Sequence, residues 1–251
     1  MINNPLEQFQ IIPIFSLKLG SLDFSITNSS LVLILALFIL LFLTQLISLE
    51  KGGTLVPNRY QYILEQIYLV TLGMISDQVG KKKGEQFFPF IFSIFTFLLI
   101  VNLLGMVPYS FTATSHIIVT LTLALGVFIG VNIIMFREHG IKSFGFFLPA
   151  GAPFGLLPLL IAIEIVSFII RPLTLSVRLF ANMMSGHILL KVLLGFSWTM
   201  LMAGGGLFFL HFAVLGVVYL LIGLEFGVAM VQAYVFTLLT CIYINDAINL
   251  H

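Results

Sequence analysis

Charge is the scarcest property of this chain. Asp, Glu, Lys and Arg make up 8% of its 251 residues, while hydrophobic residues make up 60% and mean hydropathy is +1.15. A soluble domain carries about 25% charged residues, so this composition excludes an ordinary water-facing surface. The formal net charge of +1 supplies neither a basic nor an acidic field, and nothing points to a nucleic-acid partner. Cysteine is almost absent. Cys241 alone, set in an apolar segment, excludes an internal disulfide and reads as a small packing residue. No glycine-rich phosphate loop, catalytic triad or Cys/His cluster occurs, so no cofactor and no metal are expected. Between Met1 and Leu22 the only charges are Glu7 and Lys18, which is neither a signal peptide nor an Arg-rich transit peptide, so no cleaved address is expected. Internal repeats and low-complexity linkers are missing too.

What the chain does contain is long apolar runs. The expected organisation is one integral membrane domain, residues 1–251, with an N-terminal segment (1–30) and a first span (31–49). Residues 57–79 differ. Tyr60, Ile63, Leu64, Ile67, Val70 and Met74 recur at helical spacing while Asn58, Arg59, Glu65, Asp77 and Gln78 fall elsewhere, the pattern of an amphipathic helix lying in the interface. Spans follow at 87–107 and 116–136, each long enough for about 30 Å of hydrocarbon. Tyr109 to His116, between them, is a hydroxyl-rich turn on the expected outer side, which reads as a plain turn, with a water inlet as the alternative. Pro149, Pro153 and Pro158 punctuate the approach to the fourth segment.

Two runs of nearly forty residues remain, 156–194 and 207–244, separated by Gly204-Gly205-Gly206. A perpendicular span needs about 20 residues, so these form a long, strongly tilted hairpin. The fold class is therefore all-α membrane protein, with about five membrane helices and one interfacial helix. Lys81-Lys82-Lys83 and Arg137 with Lys142 follow the first and third spans. The positive-inside rule then places the N-terminus outside and the C-terminus inside.

The fourth run holds Glu164, Arg171, Arg178, His187 and Lys191. A mid-bilayer Arg costs about 2.5–3.5 kcal/mol or more, so such residues mark ion paths or buried pairs. Arg171 and Lys191 also fit helix-end residues that snorkel. Arg178 does not, because it lies a dozen or more residues from either end. Positions seven apart drift by only about 20° on a helix, so Glu164, Arg171 and Arg178 share a stripe, and Asn182 shares their face. His187 faces nearly the opposite way. Folding about the triple glycine sets Arg178 level with Gln232, His187 with Glu225, and Glu164 with Asp246. Three polar tiers in an apolar hairpin suggest a polar route; the plainer alternative is hydrogen bonds joining helices. His187 and Glu225 alone lack a third metal ligand. His211 reads as a packing residue, His139 and His251 as solvated, and Arg137–Glu138 as an exposed pair.

The run from Leu175 to His187 (LSVRLFANMMSGH) resembles the signature of subunit a of rotary proton-translocating ATP synthases, and Gln232-Ala-Tyr-Val-Phe-Thr-Leu-Leu-Thr resembles its last helix. Asn102 to Thr112 (NLLGMVPYSFT), Pro149-Ala-Gly and the ending Tyr243 to His251 look like mitochondrial members. The resemblance implies a stator subunit beside a ring of c subunits, with peripheral-stalk and other membrane-sector subunits and lipid as partners. It implies no catalysis by this chain alone. It makes Arg178 the essential arginine facing the ring and Asn182 and Gln232 its polar neighbours. His187 and Glu225 would line the outer half-channel, Glu164 an inner one, with Asp246 level with Glu164. Placement in a mitochondrial inner membrane from an organelle gene follows, a bacterial plasma membrane being the alternative. A secondary transporter would show an inverted repeat with broken helices, which is not found. A structural subunit of a respiratory complex would use Arg178 only for packing.

Overall fold

The computed structural model describes residues 5–19, 22–49, 57–107, 110–147 and 157–249. Pro108, Tyr109, Pro149, Pro153 and His251 lie outside them. The helices are α1 (Asn28–Leu49), α2 (Arg59–Gln78), α3 (Lys81–Gly84), α4 (Phe88–Gly105), α5 (Ile117–His139), α6 (Leu157–Ala203) and α7 (Leu207–Ile248). Five of them, all but α2 and α3, are long and apolar enough to cross a membrane. Helices suit such sequences because hydrocarbon offers no partner for backbone polar groups, which must be satisfied within the segment.

Local chemistry sets the boundaries. At the start of α1, the Thr27 amide donates to Ser30 Oγ at 2.9 Å and the Ser30 amide to Thr27 Oγ1 at 3.3 Å, a reciprocal cap that precedes the apolar run. Ahead of it, the N-terminal segment forms two small antiparallel ribbons, β1 (Pro13–Phe15) with β4 (Ile26–Thr27) and β2 (Lys18–Leu19) with β3 (Leu22–Asp23). Hydropathy gives no sign of them. Helix α6 has 47 residues and α7 has 42, about 70 and 63 Å at 1.5 Å per residue. Both are much longer than the roughly 30 Å hydrocarbon core of a bilayer. Nine residues of α6 lie beyond the expected end at Leu194. The reversal uses Gly204 and Gly205, with φ of +68° and +61°, where a side chain would be strained.

The chain resolves into two compact units. The first comprises Met1–Leu46, Phe97–His116 and Leu179–Ala233; the second comprises Ile47–Thr96, Ile117–Arg178 and Tyr234–His251. In the first, Ala36, Val101 and Ala113 form a core with Val32, Leu33, Phe97, Ile100 and Leu104 around them. Buried Asn102 donates from Nδ2 to the Ala229 carbonyl at 3.2 Å, pinning α4 to α7. Near the reversal, His211 Nδ1 lies 2.7 Å from Ser197 Oγ and 2.9 Å from the Ser197 carbonyl, which ties the two arms of the hairpin.

In the second unit, Thr120 and Ser176 hydroxyls meet at 3.0 Å between α5 and α6. Phe128 and Phe168 rings pack at 4.9 Å, and Met74 of α2 accepts from Thr237 at 3.7 Å. Helix α2 buries Leu64, Thr71, Met74 and Ile75, while Tyr60, Ile63 and Val70 from the expected apolar face are exposed. His139 is half-buried and sits 3.1 Å from the Ile248 carbonyl, so it is engaged rather than solvated.

Candidate functional site

Each unit holds a cluster of ionisable side chains among the described residues. In the first unit, α6 and α7 bring His187 and Glu225 to a void lined by Met106, Asn182, Met183, His187, Glu225 and Val228. Its volume is about 10 Å³, close to the room that a single water needs. Glu225 is 9% exposed. Neither of its carboxylate oxygens has a hydrogen-bond partner among the described residues. Buried polar side chains normally have a hydrogen-bond partner, so Glu225 stands out among the described residues.

The neighbouring glycine explains how the carboxylate fits. A methyl built on Gly186 would meet Glu225 Oε1 at 2.6 Å and the carboxyl carbon at 2.9 Å. His187, half-buried, has a partner of its own: its Nε2 lies 3.2 Å from Thr112 Oγ1. The level expected for His187 and Glu225 therefore corresponds to a shared void, with no direct hydrogen bond between them. Asn182, expected on the Arg178 face, borders the same void. Gln232 is half-buried on α7.

In the second unit, Arg171 Nη1 donates to Asp246 Oδ2 at 3.3 Å, with the two side chains 22% and 26% exposed. The guanidinium carbon also lies 5.8 Å from the centre of Phe168 and 5.2 Å from that of Tyr243, distances at which the ring faces attract a cation. Arg171 is thus an interior residue with a carboxylate and two aromatic partners, not a snorkelling end residue. Asp246, expected level with Glu164, has Arg171, seven residues further along α6, as its ion-pair partner. Glu164 is half-buried. Pro172, next to Arg171, is buried inside α6 and lacks the amide proton an interior helical residue donates.

Arg178 differs from all of these. It is exposed, deep inside an apolar helix, and makes no hydrogen bond or ion pair among the described residues. Along α6, Thr174, Ala181 and Ser185 stand at helical spacing from it and are exposed as well. The side chain at the centre of the polar motif is offered outward.

A profile described as ATP synthase A chain matches residues 30–245. The chain belongs to the ATP synthase A chain family. Among its relatives, ATP synthase subunit a of Chondrus crispus is 53% identical over 251 residues, covering 100% of this chain and 98% of the relative. That of Marchantia polymorpha is 49% identical over 253 residues, with 100% of each covered. That of Pylaiella littoralis is 51% identical over 251 residues, again with 100% of each covered. The region matched to the ATP synthase A chain family takes in the His187–Glu225 void, Arg171 and Arg178, and ends one residue before Asp246.

Sequence reasoning missed the supporting cast of both sites. Thr112 sits in a turn that reads as plain or as a water inlet, and nothing linear links it to a histidine 75 residues away. Gly186 carries no signal except that it is glycine within a helix. Arg171 is visible as an intramembrane charge, but its partner depends on a register seven residues from the one that symmetry about the glycines suggests.

Proposed function

We propose that this chain is the stator subunit of the membrane sector of ATP synthase. In this reading it provides two offset proton half-channels and sets Arg178 against a rotating ring of c subunits, so that proton flow drives rotation and ATP synthesis. The observation that carries the proposal is the buried, unpartnered Glu225 beside His187 at a water-sized void. A carboxyl and an imidazole around one water can pass a proton by exchanging donor and acceptor roles. His187 and Glu225, with Asn182, form the outer path; Glu164 and Asp246 serve the inner one.

Arg178 acts differently. Its guanidinium stays charged and favours the ionised form of a carboxylate that passes it. The same fixed charge opposes a proton crossing directly from one half-channel to the other. Its exposure, with no hydrogen bond or ion pair among the described residues, supports a counterion on a neighbouring subunit. The peripheral stalk, other membrane-sector subunits and lipid cover the remaining apolar faces. The setting is a mitochondrial inner membrane, with the N-terminus outside and the C-terminus on the matrix side, as the Lys and Arg clusters suggest.

The test is replacement of Arg178 in the assembled complex. Arg178→Ala leaves assembly intact and abolishes proton-driven ATP synthesis. Arg178→Lys fails as well, because a lysine lacks the planar fork and can lose its proton when desolvated. Synthesis near the unmodified rate in either variant, with assembly verified, overturns the proposal.

A further inference from the structure

The turn between α4 and α5 reaches His187, which borders the void of the first unit, through one side chain. Thr112 is 4% exposed, and its Oγ1 lies 3.2 Å from His187 Nε2 across 75 residues of sequence. Its backbone is fixed in turn. The carbonyl accepts from Ser115 Oγ at 2.6 Å and from the Ser115 amide at 3.3 Å, which anchors the 3-10 turn Ala113–Ser115. The end of α4 is shaped to admit it: a methyl on Gly105 would meet Thr112 Cγ2 at 2.7 Å. The hydroxyl donates to the Gly105 carbonyl at 3.5 Å. Little freedom remains for the hydroxyl except rotation of its proton.

We propose that Thr112 is a positioning residue of the outer proton path, its hydroxyl holding the His187 ring against the Glu225 void in either tautomer. This rests on the reading of His187 and Glu225 given above. A hydroxyl has one proton and two lone pairs. With the proton turned to the Gly105 carbonyl, Oγ1 accepts from Nε2–H and leaves Nδ1 as the acceptor of the ring. With the proton turned to Nε2, Oγ1 donates and Nδ1 carries hydrogen. The partner of one ring nitrogen decides which form the other presents, and here that partner serves both. The ring can then change its proton without losing its anchor at Nε2. Glu225, on α7, is the titratable group bordering the same void, and Lys191 follows one turn along α6 from His187.

The experiment compares Thr112→Val, Thr112→Ser and His187→Gln in the whole complex, reconstituted in vesicles, with passive proton flow normalised to assembled complex. Valine keeps the shape of threonine and removes the hydroxyl; serine keeps the hydroxyl. Loss of an orienting partner reduces the activity of a histidine site by about 10- to 100-fold in metal centres. Thr112→Val is accordingly expected to slow flow about tenfold, towards His187→Gln, with Thr112→Ser within about twofold of the unmodified complex. In the double variant Thr112→Val with His187→Gln, flow is no slower than in His187→Gln alone. If Thr112→Val assembles poorly, Thr112→Ala removes the hydroxyl without bulk and supplies the same comparison. Unchanged flow in the hydroxyl-free variants while His187→Gln blocks conduction overturns the role of Thr112 and leaves the path standing. Equal slowing in valine and serine variants also overturns it, since packing would then be the cause. Normal flow in both His187→Gln and Glu225→Gln overturns the path itself, and Thr112 with it.

Discussion

Gly186 and Glu225 divide one small volume between them. The carboxylate occupies the space a side chain at 186 would fill, with its atoms 2.6 to 3.2 Å from where a methyl carbon would stand. Real carbon–oxygen contacts rarely come so close, so an added methyl must displace the carboxyl or separate the helices. Overpacking of this kind typically costs about 1–3 kcal/mol. Gly186→Ala should therefore leave an assembled complex with slower proton flow, because Glu225 is pushed from its position beside the void. Flow assays on purified complex check this; a rate equal to that of the unmodified protein would show that the carboxylate has room to spare. Replacement of Gly195 by Ala on the same helix is the control, since a methyl there meets nothing within 4 Å.

Among the elements, the hairpin reports its own register. Gly186 faces Glu225, and Ser197 faces His211. Both lie close to the register obtained by folding about the three glycines, so this part of the fold was legible from residue numbers and the intolerance of helices for consecutive glycine. Leu190 and Leu220 are equally level by that rule, but Leu220 is 76% exposed and cannot serve as a facing pair. Rotation of each helix about its axis was the missing quantity: an almost uniformly apolar helix has no polar face from which to read it. Cysteines at Ser197 and His211, in a Cys241→Ser background, should cross-link efficiently in membranes. A pair at Leu190 and Leu220 should not. Reversed yields on non-reducing gels would contradict the described hairpin. The terminal ribbons stayed hidden for a different reason, since strands of two or three residues are too short for alternation to register.

The whole molecule presents large apolar side chains outward, among them Phe209 at 77% and Tyr219 at 68% exposure, and lipid can cover these. Arg178, on the other arm of the hairpin, is another matter, because a guanidinium facing hydrocarbon costs about 2.5–3.5 kcal/mol. The chain by itself should therefore gain stability from Arg178→Leu. The expected gain in bicelles, without other subunits, is about 2–3 kcal/mol by denaturant unfolding. That advantage should disappear in the assembled complex, where a partner carboxylate would face the arginine. Equal stability of the isolated proteins would indicate that Arg178 is already satisfied within the chain. Arg178 stood out in the sequence because charge is so rare; the exposure of its side chain depends on how the helix is turned, which the sequence leaves open.

The tight fit at Gly186 also restricts how such a chain can change over generations. A methyl at position 186 fits more easily beside a shorter side chain at 225, such as aspartate, and glutamate at 225 fits best while 186 stays bare. The order of the two substitutions then matters: gaining the methyl first passes through a crowded, slow intermediate, whereas shortening the acid first passes through a roomy one. Two positions 39 numbers apart, on different helices, are thereby expected to change together.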